Sequence, residues 1–190
     1  DEPMRPRVAD ARVGFFTVSR FDYSDTRTLT PRINLVKRWR LEKKDPAAEL
    51  SEPKQPIVFW IDRNVPLRYR DTIVAGVLEW NKAFERIGFK DAVQARIQPD
   101  DADFDTLDAR HASIRWMTTA RPVFGGIGPS QADPRTGEIL DADIGIDPTR
   151  LPNSRYRPAD QRSHAADPAA AGLSPLPADA FEALLESISA

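Results

Sequence analysis

The chain has 190 residues, enough for one domain with an appended piece, and its 41% hydrophobic and 29% charged content is globular rather than disordered. Its 27 basic and 29 acidic side chains are well mixed, and the resulting formal charge of −2 argues against a nucleic-acid partner, which needs clustered Lys and Arg. Without cysteine there are no disulfides and no thiol catalysis, and no apolar run approaches membrane-spanning length.

The opening stretch "DEPMRPRV" has no basic-then-apolar signal pattern, and its lack of an initiator Met points to a start farther upstream. A β-hairpin is predicted next. "VGFFTVSRFDY" (13–23) is rich in aromatic and β-branched residues. In "INLVKRWRL" (33–41), Ile33, Leu35, Trp39 and Leu41 alternate with Asn34, Arg38 and Arg40. "SDTRTLTP" (24–31) supplies the turn. The charged, proline-punctuated stretch 42–56 then reads as a connector to the main domain.

That domain opens with a buried strand, "PIVFWID" (56–62). The clearest helix covers 68–87, where Ile73, Val77, Trp80, Phe84 and Ile87 form one stripe. Gly88 stands where a left-handed cap is expected, with Phe89 folding back on the last turn. "DAVQARI" (91–97) is a second strand, giving a βαβ unit with a right-handed crossover. The acidic loop 100–111 leads to a third strand, "ASIRWMT" (112–118). Residues 124–147 read as an antiparallel hairpin turned by "DPRTG", in which Gly137 takes the left-handed position. Residues 148–177 are a predicted surface loop, and "SPLPADAFEALLESISA" (174–190) begins a helix striped by Phe181, Leu184, Leu185 and Ile188.

The aspartates do not make a calcium loop of the EF-hand kind. From Asp101 the pattern meets Thr106 where Gly is required and Ala112 where Glu is required; from Asp141, position five is Gly145. The stretch "DADIGID" (141–147) instead alternates Asp141, Asp143, Gly145 and Asp147 with apolar neighbours. That is the pattern of a strand with a wet side. His111 and His164 lack a partner at helical spacing and read as surface histidines. A G-x-S-x-G elbow and a P-loop are both absent, and the glycines at 125, 126 and 128 lie between strand-like residues rather than before a helix.

Four blocks carry a resemblance: "RWRLEKKDPAAELSEPKQPIVFWID" (38–62), "EWNKAFERIGF" (79–89), "IRWMT" (114–118) and "GPSQADPRTGEILDADI" (128–144). In this order they resemble a group of large bacterial zinc-dependent metalloproteases with metzincin-like catalytic domains. The similarity covers most of residues 4–147, and residues 148–190 match loosely. The resemblance implies an α/β (α+β) fold: a twisted mixed five-stranded sheet, four strands parallel and one antiparallel at the edge, crossed by one helix and preceded by a β-hairpin. It divides the chain into a hairpin leader, 1–45, and a truncated N-terminal subdomain, 46–190, that ends as the active-site helix begins.

In that family a helix bearing H-E-x-x-H-x-x-G-x-x-H holds zinc, which polarises the scissile carbonyl while the Glu activates a water. The motif does not occur before Ala190, so zinc is expected in the full-length protein, with no catalytic or metal-binding residue and no cofactor in this chain. What the chain would supply is a substrate-binding edge strand: Gly125, Gly126, Ile127, Gly128, Pro129 and Ser130. Its free N–H and C=O groups would pair with an extended peptide or protein substrate. The same glycines equally suit a bulge or close packing. An open edge also implies self-association, and export to the bacterial envelope is implied by the family alone. The alternative is a non-enzymatic protein-binding or structural module of an envelope protein.

Overall fold

The computed structural model describes residues 2–24, 27, 32–119 and 124–148. The helix expected over 174–190, nearly all of the loop before it and His164 lie outside the described residues. In chain order the elements are β1 (Thr17–Phe21), β2 (Arg32–Val36), β3 (Ile57–Ile61), α1 (Leu67–Arg86), β4 (Val93–Ile97), β5 (Ser113–Trp116), β6 (Gly126–Ile127), β7 (Ser130–Ala132) and β8 (Ile139–Ile146).

β3 lies parallel to both β4 and β5, β5 lies parallel to β8, and β6 and β7 run antiparallel to β8. The sheet order is therefore β4-β3-β5-β8-β6, with β7 farther along β8. This is the mixed sheet expected from the sequence, four parallel strands and an antiparallel edge, with one difference: the edge strand is split. The pairs Ile127↔Gly145 and Ser130↔Ala142 keep one register across the split. Pro129 has no N–H to give to the ladder, so regular pairing lapses there without a change of path.

Alternation along the strands sends Ile57 and Ile61 to one face, where they meet Val93, Ile114 and Val77 of α1 in a buried core with Val65 and Ala92. α1 begins after Pro66, whose missing N–H costs a helix start nothing. At the other end Gly88 has φ +88°, its N–H donates to Glu85 O, and Phe89 N–H reaches back to Phe84 O. These two bonds form a Schellman cap. Of the expected stripe, Ile73, Val77 and Phe84 pack on the core, whereas Ile87 is 64% exposed. Asn81, between Val77 and Phe84 in the chain, turns its carboxamide to β4.

The leader pairs β1 with β2 antiparallel, from Thr17↔Val36 to Phe21↔Arg32. Its second half leaves the hairpin and joins the main body. Arg38 forms a parallel bridge with Glu138, and Trp39 meets Phe59 edge-on with ring centroids 6.2 Å apart. Arg40 and Glu138 make a two-pronged ion pair with both bonds at 2.8 Å. Trp39 and Leu41 both pack on the core. Burying most of an indole contributes about 2 kcal/mol, and the ion pair, with side chains 27% and 19% exposed, fixes the direction of the docking.

The connector 42–56 is likewise built rather than slack. Lys44 N–H donates to Glu52 O and Lys54 N–H to Glu42 O, while the Lys43 ammonium satisfies the carbonyls of Ala48 and Glu49. Ser51 N–H donates to Gly88 O, tying the loop to the end of α1. Among the described residues no helix is long and apolar enough to cross a membrane.

Candidate functional site: the two edges of the sheet

The "DPRTG" turn sets the edge strand. Asp133 Oδ1 accepts from Arg135 N–H at 2.8 Å, and Gly137 N–H donates to Asp133 O at 2.7 Å. Gly137 has φ +77°, and a Cβ there would overlap the Val36 carbonyl, so the turn and the leader both require glycine at this position. From the turn, β7 and β6 run back along β8. Asp143 N–H donates to Pro129 O and Asp147 N–H to Gly125 O. Antiparallel pairing alternates, so residues 125, 127 and 129 direct their backbone groups toward β8. Gly126, Gly128 and Ser130 direct theirs to the open side. Gly126, Ile127, Gly128 and Pro129 are exposed.

The six residues expected to form a binding edge, Gly125 to Ser130, thus lie together on one rim of the sheet. Two features hold that rim. Fully buried Asp147 accepts from the Thr119 N–H and hydroxyl, joining the end of β5 to the start of the edge strand. At the other end the Lys37 ammonium donates to Ser130 O at 3.1 Å and stands 3.4 Å from its hydroxyl. Ile127 and Met117 close over Gly145, where a Cβ would overlap the Met117 sulfur.

The opposite rim is treated differently. β4 is the outermost strand there, and Asn81 of α1 lies against it. The Asn81 carboxamide accepts from Val93 N–H at 2.8 Å and donates to Val93 O at 2.9 Å, the pair of bonds another strand would make. A groove lined by Lys44, Glu52, Lys54, Asp91 and Arg96 among others runs beside it.

The face of the sheet turned away from α1 departs from expectation. Asp141 and Asp147, expected on a wet side, are 2% and 0% exposed, while Leu140 is 59% exposed. Ile144 and Ile146 still pack on the core, but this face is covered as well: Phe104 stacks on His111 and both meet Trp60, while Thr119 lies over Asp147. His111 is therefore part of an aromatic stack rather than a free surface group. Asp143 accepts from the Ser113 hydroxyl. Asp141 Oδ1 and His111 Nδ1 are buried without hydrogen-bond partners. Burial, reinforced by the Asp143 charge, raises the Asp141 pKa above its ordinary value.

Beside this cluster, a cavity of about 360 Å³ opens at the ends of β3 and β4, lined by Asp62, Arg63, Gln98, Thr106 and Arg115 among others. Buried Asp62 accepts from the Thr106 hydroxyl and from Asn64 N–H, and Arg115 Nε stands 3.7 Å from it. Arg63 gives its guanidinium to Gln98 Oε1 and to the carbonyls of Asp100 and Ala102. The cavity floor is thus a network that anchors the loop.

Among the described residues no group of three or more His, Cys, Asp or Glu side chains is arranged to hold a metal ion. The His111 ring is committed to Phe104 and Trp60. These residues do not fit a zinc centre. Sequence reading missed Asn81, Lys37 and the buried aspartates. Asn81 had a signal, a polar residue spaced four from Val77 and three from Phe84 in the apolar stripe.

The profile of a domain of unknown function, DUF5117, matches residues 1–44, the leader and the start of the connector. No curated protein and no solved structure matches the chain.

Proposed function

We propose that this chain is the sheet portion of a zinc-dependent endopeptidase and that its edge strand, Gly125 to Ser130, holds the substrate. The observation that carries this reading is the contrast between the rims. One is capped at Val93 by a side-chain amide, and the other, among the described residues, presents the N–H and C=O of Gly126 and Gly128 to solvent. An extended peptide laid there gains backbone hydrogen bonds, and glycines let it approach closely. The zinc ligands and general base are expected on an H-E-x-x-H helix downstream of Ala190, so the chain alone binds substrate without cleaving it.

Incubation with an unfolded protein and added zinc should leave that protein intact, and metal analysis should find no stoichiometric zinc. One tightly held zinc per chain would overturn the reading. A second reading, a non-enzymatic binding module, is favoured by the aromatic side chains that the leader leaves in solvent, notably Phe16, Phe21 and Tyr23. The coding sequence past Ala190 separates the two: an H-E-x-x-H within a few tens of codons supports the peptidase, and a stop codon supports the binding module.

A further inference from the structure

We infer that Lys37 is a specificity-determining residue of the edge strand, selecting extended peptides that carry an acidic side chain beside Ser130; this inference rests on the edge-strand reading above. The backbone groups of Ser130 face the open side of the strand, and its carbonyl is where a bound peptide's third pairing contact would fall, after Gly126 and Gly128. That carbonyl is already taken by the Lys37 ammonium at 3.1 Å. The ammonium is thus held on the rim itself, where an incoming chain must pass. Among the described residues no carboxylate lies within ion-pair distance of it, whereas Arg40, its near neighbour in sequence, is matched by Glu138. A carbonyl and a hydroxyl satisfy donors without neutralising charge. The end of the rim is therefore a fixed, half-buried cation whose counter-charge is not supplied locally.

The partner that fits has an extended backbone along Gly126 to Gly128. Its Glu or Asp lies about two residues past the one opposite Gly128, because strand pairs advance in step. A positively charged side chain at the same place is repelled. Lys37 also discourages two copies from pairing edge to edge along this rim, since each brings the same charge.

The test uses the 190-residue chain and fluorescein-labelled alanine- and valine-based peptides in which one Glu is moved along the sequence, with Gln and Lys counterparts. Anisotropy should show one Glu position binding about threefold more tightly than Gln there, an advantage that fades with added salt. Lys37→Met should erase the preference, and Lys37→Glu should transfer it to the Lys peptide. Equal binding of Glu and Gln peptides at every position, or a Glu preference that survives Lys37→Met, would overturn the inference and leave the edge-strand reading standing. If no peptide binds at all, both fall together.

Discussion

The sheet has two rims, and the chain finishes them in opposite ways. At β4 a single carboxamide from α1 takes both free groups of Val93, so the last strand is answered by a side chain. At β6 no described element covers the outer groups of Gly126 and Gly128, and Lys37 guards only the Ser130 end. Open edges are an aggregation hazard that proteins commonly blunt. A fold that blunts one rim at Val93 with a half-buried amide and, among the described residues, leaves its glycine rim bare treats the same geometry in two ways. The first rim is closed at Val93, and among the described residues nothing covers the second at Gly126 and Gly128.

The largest effect is expected where the open rim is shaped. Gly137→Ala places a Cβ against the Val36 carbonyl at φ +77°. It should cost about 3 kcal/mol, read as a lower urea midpoint by tryptophan fluorescence. Hydrogen exchange should quicken along β8 before it does at Val93; uniform quickening would mean the turn does not set the open rim separately.

Opening the closed rim comes next. Asn81→Leu leaves the Val93 N–H and C=O without partners and should cost about 2 kcal/mol. Sedimentation should then reveal concentration-dependent association through β4. Asn81→Asp keeps the acceptor for Val93 N–H and should lose about half as much. A monomeric Asn81→Leu protein would break the claim that the amide is what closes this rim.

A smaller change is expected beneath the open rim, at Asp141, which pairs with Gln131. Its pKa is raised in the folded state, by burial first and by Asp143 second. Folding therefore favours the protonated acid: its contribution is full below the ordinary carboxylate range and is lost as pH rises through the raised value. Asp141→Asn should stabilise the protein by about 1 kcal/mol at pH 7. The gain should shrink as the pH falls below 4, measured as the difference in melting temperature. A gain that grows in acid would contradict the assignment.

The smallest stability effect should accompany the sharpest functional one. Gly128→Pro removes an N–H that has no internal partner, and a Cβ there would meet only Ile144 at an ordinary 3.6 Å. Stability should change by less than about 0.5 kcal/mol, while binding of extended peptides is lost. Undiminished binding would show that peptides use another surface.

The strands, the helix and both left-handed glycines were legible in the sequence because each rests on local chemistry. Period-two alternation marks β8, period 3.6 marks α1, and Gly88 and Gly137 stand where only a residue tolerant of positive φ fits. The burial of Asp141 and Asp147 was not legible. Alternation shows that two faces differ, but whether the polar one is also covered depends on a loop bearing Phe104 and His111 and on Thr119, all distant in sequence. The edge residues could be grouped from their order in the chain. Lys37 could not, since its contact with Ser130 spans 93 positions. Trp39 and Leu41 had the right alternation for a hairpin, yet they serve the main core because β2 ends at Val36 and the chain turns onto β8.

The pairing of Arg40 with Glu138, 98 positions apart, also orders events in time. A ribosome makes the leader first and β8 among the last of the described strands. Until residues 137–139 emerge, Arg38 has no bridge, Arg40 has no counter-ion, and β5 lacks the neighbour it shares with the edge. Long-range parallel pairing of this kind is slow to nucleate. Before β8 emerges, the leader has the Trp39–Phe59 contact to hold it but neither its bridge nor its ion pair. The ion pair of the leader and the backbone pairing of the edge strand both wait on β8, so one strand completes two distant parts of the fold.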